Sequence, residues 1–314
     1  MTLLNRTSNG HVPSLIVLWR TARVFGPRSR AELEELCQPR NKPKPTKTMG
    51  ATFATWKLLG MFVEDPDGHV RLTPPFDKIE QTDTEALRTA VLGLLLRPEN
   101  SPALLAADLR NEAEESRASD FVRIASWALA QDPYRLSSLG SDTVQSEAKS
   151  QGLELYHGDG RWNSFQEWAY FCGLAVATVR GLVMCPARAV RATLSGAHPR
   201  VALPADRDVP LSAFLEDLAR AVPVLDGGAH RVRIDDVLRA SGRGLAAHQI
   251  SPCLALALLQ LDHEEEVILS DRAGDVTTRL SLLGRDGHVV KTASHIRRGM
   301  VRRRTAANAE GARA

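Results

Sequence analysis

Long apolar runs are missing from this sequence. The longest, Ala90–Leu96 and Leu254–Leu261, fall well short of the roughly 20 residues a bilayer-crossing helix needs. The opening MTLLNRTSNGHVP has no apolar stretch behind a basic start, so no secretory leader is expected and the protein is expected in the cytoplasm. Aromatic residues are scarce, at 5% of 314, which leaves Leu, Val, Ala and Ile to build the cores. Cysteine is scarce too. Cys37, Cys172, Cys185 and Cys253 are far apart and form no C-x-x-C pair, which argues against a disulfide framework or a zinc site and for buried free thiols. The sequence holds no G-x-x-x-x-G-K-[ST], no G-x-S-x-G and no H-E-x-x-H, so none of the phosphate, acyl or zinc chemistries those spacings serve is expected.

What is present is ordinary for a globular chain: 43% apolar and 25% charged residues. The length suits two or three domains. The net charge of +3 is small but unevenly spread. Before residue 60 lie Arg6, Arg20, Arg23, Arg28, Arg30, Arg40, Lys42, Lys44, Lys47 and Lys57, against Glu32, Glu34 and Glu35 alone. The stretch 61–150 is acidic, and the last thirty residues are basic again. Segregation of this kind fits either a polyanionic partner or an ordinary solvated surface.

The first helical pattern runs from Ser14, with Leu15, Ile16, Leu18, Trp19, Ala22 and Phe25 on one side, and stops at Gly26-Pro27. Ser29 and Glu32 stand at capping-box spacing ahead of a short second helix carrying Leu33, Leu36 and Cys37. The segment QPRNKPKPT has three prolines and is a basic loop. Thr46 or Thr48 then caps a third helix reaching Leu59, with Met49, Phe53 and Trp56 inward and Lys47, Ala51, Thr52 and Thr55 outward. Met61–Asp65, the turn Pro66-Asp67-Gly68 and His69–Thr73 read as a strand, turn and strand. Three helices followed by a two-stranded flap predict a winged helix-turn-helix over residues 1–80.

Residues 81–200 read as mainly helical. Leu87, Val91, Leu94 and Leu95 form one stripe, and Phe121, Ile124, Ala125 and Ala128 another. Leu136–Ser146 is Ser-rich and looser. Asn163–Cys172 is a helix with Phe165, Trp168 and Phe171 inward, and Gly173–Met184 is strand. Residues 201–290 repeat the helix, helix, helix, hairpin order: Ser212–Val222, Ile234–Ala240, Cys253–His263, then Val267–Leu269 paired with Val276–Leu282. This predicts a second winged-helix-like unit. Residues 291–314 read as a basic disordered tail. The expected class is thus mainly α with small β-hairpins: tandem winged-helix-like domains around a helical middle.

In a helix-turn-helix the third helix enters the major groove while loop and flap meet phosphates. This places Lys42, Lys44, Lys47, Thr48, Thr52, Thr55 and Arg71 against double-stranded DNA. A protein-docking role is the alternative, since the helix lacks the Arg, Asn and Gln that make paired base contacts. Other polar clusters read as structure: His263 with Glu264–Glu266 as a solvated helix end, His157-Gly158-Asp159-Gly160 as a polar turn, Asp235-Asp236 as a helix cap, and Trp162 and Trp168 as core. No catalytic residue, metal or cofactor is expected.

The opening MTLLNRTSNG with LIVLWRTARVFGP, the central NSFQEWAYFCGLA and LVMCPARAVRATL, and the later ISPCLALALLQL resemble the DpdG family across most of the chain. The resemblance implies an accessory part in bacterial clusters that place 7-deazaguanine derivatives in DNA and restrict foreign DNA, alongside other proteins of the defence complex. The expectation is therefore a non-enzymatic DNA-binding or adaptor subunit. The alternatives are a scaffold in such a complex and an autonomous winged-helix repressor.

Overall fold

The computed structural model describes residues 2–4, 11–38, 47–105, 117–136, 139–156, 160–179, 181–195, 201–272, 274 and 278–299. The fold is mainly α with small, mostly antiparallel sheets.

Helix α1 (Val12–Phe25) starts two residues before the sequence pattern suggests, with Pro13 in its first turn, where a missing N–H costs nothing. The Val12 N–H donates to Glu167 Oε1 at 3.1 Å, a partner far along the chain. Gly26, at φ 70°, ends α1 in backbone that a side chain would strain. A two-residue strand β1 (Arg28–Ser29) follows. Ser29 and Glu32 form the expected capping box for α2 (Arg30–Leu36). Next come α3 (Lys47–Leu59), β2 (Phe62–Glu64) and β3 (His69–Leu72). Strand β1 joins the β2–β3 hairpin on the β3 side, giving the order β1-β3-β2. Leu15, Leu18, Trp19, Leu33, Phe53, Trp56, Phe62 and Val70 fill the space between helices and sheet.

The middle contains α4 (Thr84–Leu95), α5 (Ser119–Ala128), α6 (Pro133–Leu136), α7 (Ser141–Ser150) and α8 (Arg161–Phe171). The hairpin β4 (Ala175–Thr178) and β5 (Gly181–Met184) and helix α9 (Ala187–Leu194) complete it. Asp83 caps α4 by accepting the Ala86 N–H at 2.9 Å. Every residue of α5 is buried, so this helix is the centre of the molecule. The second half of the Ser-rich stretch expected to be loose, from Ser141, belongs to α7, where Val144 and Ala148, four residues apart, bury one face.

The last region holds β6 (Val209–Pro210), α10 (Leu211–Ala221), α11 (Ala229–Ala240), β7 (Gln249–Ile250) and α12 (Pro252–His263). Strands β8 (Val267–Ser270), β9 (Leu280–Leu283), β10 (Val289–Ala293) and β11 (His295–Arg298) follow. Two expectations fail here. The strand β8 pairs with β11, not with the segment at 276–282; β9 pairs instead with β10 and, in parallel, with β7. The supposed tail is structured as far as residue 299. Ala293 and Ile296 are fully buried, which anchors β10 and β11. Arg297 pairs with Asp208 at 3.5 Å, and Arg298 donates to the Leu194 carbonyl at 2.7 Å. A boundary at 290 therefore cuts through β10.

The sheet β6-β11-β8 has the same order as β1-β3-β2. In both, a two-residue strand leads directly into a helix and pairs with the last strand of its sheet. The helix preceding the second sheet, α12, is buried at Pro252, Cys253, Leu254, Ala255, Ala257, Leu258 and Leu261. Helix α9 and strands β8 and β9 pack against it. One continuous core runs from Leu3 to Ile296.

Candidate nucleic-acid interface

The residues expected to touch DNA lie on α3, the segment before it and the β2–β3 hairpin. Lys42 and Lys44 lie outside the described residues, as does the side chain of Lys47, whose backbone opens α3. Thr48 is half-buried in the first turn.

Thr52 and Thr55 were expected outward and are not. They are 0% and 1% exposed. The Thr52 hydroxyl donates to the Thr48 carbonyl at 2.8 Å, which satisfies a buried Thr inside a helix. Thr52 stands three residues after Met49 and four before Trp56, and Thr55 four before Leu59, so helical spacing sets both beside inward residues. Trp56 itself meets Trp168 of α8 in a tilted pair with ring centroids 5.3 Å apart. The accessible positions of α3 are half-exposed Thr48, Gly50, Ala51 and Ala54, then exposed Lys57 and Leu58 near the C-terminus. Apart from Thr48, the half-exposed positions bring no side-chain donor or acceptor.

Arg71 lies on the hairpin, 56% exposed, but its Nε donates to Asp65 Oδ2 at 2.9 Å. Asp65 also accepts the backbone N–H groups of His69 and Asp67 at 2.8 and 3.1 Å. Those bonds, the His69 N–H first and Arg71 next, hold its carboxyl below the usual range. Asp65, Asp67 and His69 bring ligand-type atoms within 4.8 Å of one another, yet Asp65 is already committed to closing the turn.

Other described cations of the region are held as well. Lys57 pairs with Glu64, Arg28 with Glu32 at 3.8 Å and Arg30 with Glu34 at 2.6 Å. Arg30 also stands 5.2 Å over the Phe53 ring. Arg20 and Arg23 donate to the carbonyls of Gln81 and Ile79. In the sequence no acidic residue lies between Glu35 and Glu64, a span that holds Arg40, Lys42, Lys44, Lys47 and Lys57.

Elsewhere the polar clusters are structural. Cys172, Cys185 and Cys253 are buried and Cys37 half-buried. Burial pushes the thiols of all four up, so they stay protonated at neutral pH and are poor nucleophiles. Asp235 and Asp236 lie within α11 and do not cap it; Asp235 holds the buried Arg231 at 2.7 Å and Asp236 pairs with Arg239. Glu264 and Glu266 both engage Arg191, which ties the end of α12 to α9. A cavity of about 130 Å³ beside Trp127 contains Glu147, whose oxygens already meet Arg135 at 2.8 Å and Arg243 at 3.6 Å. The turn residues His157, Gly158 and Asp159 lie outside the described residues.

A family model described as DpdG-like matches residues 1–275. No curated protein and no solved structure matches the chain.

Proposed function

Because this chain belongs to the DpdG-like family, we propose that it is a non-enzymatic DNA-binding or adaptor subunit of a bacterial 7-deazaguanine DNA modification and restriction system. The observation that carries this reading is the order and pairing of elements over residues 12–72: helix, strand, helix, helix and hairpin, with the sheet order β1-β3-β2 of a winged helix-turn-helix. In that motif the start of the third helix and the segment before it face the duplex. Here that start is Lys47, preceded by Lys44 and Lys42 with no acidic residue nearby in sequence. Lysines at this end of a helix favour phosphate both by charge and by adjoining the unpaired N–H groups of the first turn.

Scaffolding within the same complex is the second reading. It draws support from the hairpin and helix cations, which are held by acids of the same chain. The small, apolar outer face of α3 at Gly50, Ala51 and Ala54 points the same way.

Joint reversal of Lys42, Lys44 and Lys47 to Glu separates the two. The proposed function predicts loss of duplex retention and of restriction of incoming DNA, with the circular dichroism spectrum and partner assembly unchanged. Restriction and assembly that both survive the reversal favour the scaffold.

A further inference from the structure

We propose that two copies of this chain associate about a two-fold axis through the outer faces of α1 and α2, with Arg20 of each copy set against Glu35 of the other. The inference goes beyond the DNA-contact reading and stands whether the chain grips a duplex or serves as a scaffold.

The first observation is an exposed apolar surface. Val17, Val24 and Phe25 of α1 and Leu36 of α2 are 42, 56, 49 and 45% exposed. Single exposed apolar side chains are ordinary, but a contiguous group marks a contact surface. This group is contiguous. Val17 stands four residues before Thr21, and Val24 and Phe25 three and four after it, so the three surround Thr21 on the helix. The Cys37 thiol donates to the Thr21 hydroxyl at 3.4 Å, which brings the end of α2, with Leu36, to the same place. The opposite side of α1, with Leu15, Leu18, Trp19 and Ala22, is already committed to the core.

The second observation is the charge on the two rims of that surface. Arg20 stands three residues after Val17 and four before Val24, on the same face and on the side away from α2. It is exposed, and its Nε reaches the Gln81 carbonyl at 3.1 Å. Glu35 is exposed beside Leu36, on the α2 side. The other charges here are engaged. Half-buried Arg23 is turned onto the Ile79 carbonyl, Arg30 holds Glu34, and Glu32 meets Arg28 and the Ser29 cap. Among the described residues, Arg20 and Glu35 are left as an exposed cation and an exposed anion with no ion pair.

An apolar centre with a cation on one rim and an anion on the other is self-complementary under two-fold rotation. Each apolar centre then covers the other, and each cation meets an anion at the polar edge. One charge of each sign on opposite rims is what a second copy requires of its counterpart.

The test is sedimentation velocity on the full-length protein, with a dimer expected. Interfaces of ordinary size hold with µM or tighter constants, so a chain still monomeric at about 100 µM overturns the inference. Val24→Glu and, on the other helix, Leu36→Lys alter exposed positions and should give monomers with the parent's circular dichroism and melting curve. Arg20→Glu and Glu35→Arg, each alone, set like charges together and should weaken the dimer by about tenfold or more. Combined in one chain they restore opposite pairs, and should return the dimer to within about threefold of the parent. A dimer that withstands both Val24→Glu and Leu36→Lys lies on another surface and overturns the inference. Charge variants that weaken the dimer without rescue in combination overturn it too.

Discussion

Thr52 shows how a single side chain changes meaning once its neighbours are known. Read for its polarity, it falls on the outer face, although it stands four residues before Trp56 and so on the same side of the helix. It is buried, and its hydroxyl turns back onto the Thr48 carbonyl. Thr52→Val keeps the shape and replaces the hydroxyl with a methyl, so duplex affinity is expected to stay the same. A severalfold loss in a fluorescence anisotropy titration would restore Thr52 as a base reader. Arg231 is the most demanding buried side chain. It is wholly covered and lies between Asp226 at 3.1 Å and Asp235 at 2.7 Å. Arg231→Ala leaves two carboxylates without their cation and is expected to cost about 3–5 kcal/mol in urea unfolding. His230, beside it, is buried against the α4 end, with Nε2 3.0 Å from the Leu96 carbonyl. Burial pushes its pKa below the ordinary 6.5, while the Leu96 bond pulls the other way. The unfolded chain therefore takes up a proton on this ring at higher pH than the folded one does. Its contribution to stability is intact above pH 6.5 and is lost as the pH falls from there toward the lowered folded value. Melting temperature measured between pH 8 and 5 should fall less steeply in His230→Gln than in the parent chain.

At the scale of elements, helices were legible where they carried their own punctuation. Gly26-Pro27 ended α1, and Ser29 with Glu32 opened α2 by the expected reciprocal cap, which also lowers the Glu32 pKa through the Ser29 hydroxyl. Ser29→Ala is expected to destabilise the protein by about 1 kcal/mol, measured by thermal or urea unfolding. Strands β1 and β6 were illegible, because two residues have no alternation to read and exist as strands only through β3 and β11. The β11 segment misled for a different reason. HIRR reads as a charged tail, and only Ile296 in the core and the carboxylate of Asp208 reveal a central strand. The partner of β8 was misassigned because the nearer strand in sequence lost to a more distant one, with β9 and β10 inserted between them. Of the candidate site, the basic segment was legible from charge alone. The ion pairs that occupy Arg71 and Lys57 depend on the hairpin's three-dimensional closure, which spacing does not give.

For the whole molecule, the N-terminal region is joined to the rest by more than a linker. Trp56 meets Trp168 in a tilted ring pair, Asn100 Nδ2 donates to the Leu59 carbonyl at 2.9 Å, and the Leu4 N–H donates to buried Asp120 at 3.1 Å. The continuous core follows from these contacts. A fragment ending at residue 80 should therefore expose Trp56 and the end of α3, and lack both the near-ultraviolet dichroism and the cooperative melting of the full chain. A sharp melting transition in that fragment would contradict the coupling. The two sheets of like order differ in the helix before them: the open face of α3 adjoins lysines in sequence, whereas α12 packs on α9, β8 and β9 and its half-exposed positions Leu256, Leu259, Gln260 and Asp262 bring no cation. Under the proposed function, contact with nucleic acid therefore falls to the N-terminal region, and there to the segment rich in lysine.

The most direct measurement is the binding of the full-length protein to duplex DNA from 50 to 200 mM salt. Three lysines on phosphates predict a slope of log K against log salt of about −3, which the triple reversal abolishes. Binding that ignores salt, or no binding at 50 mM, contradicts the account.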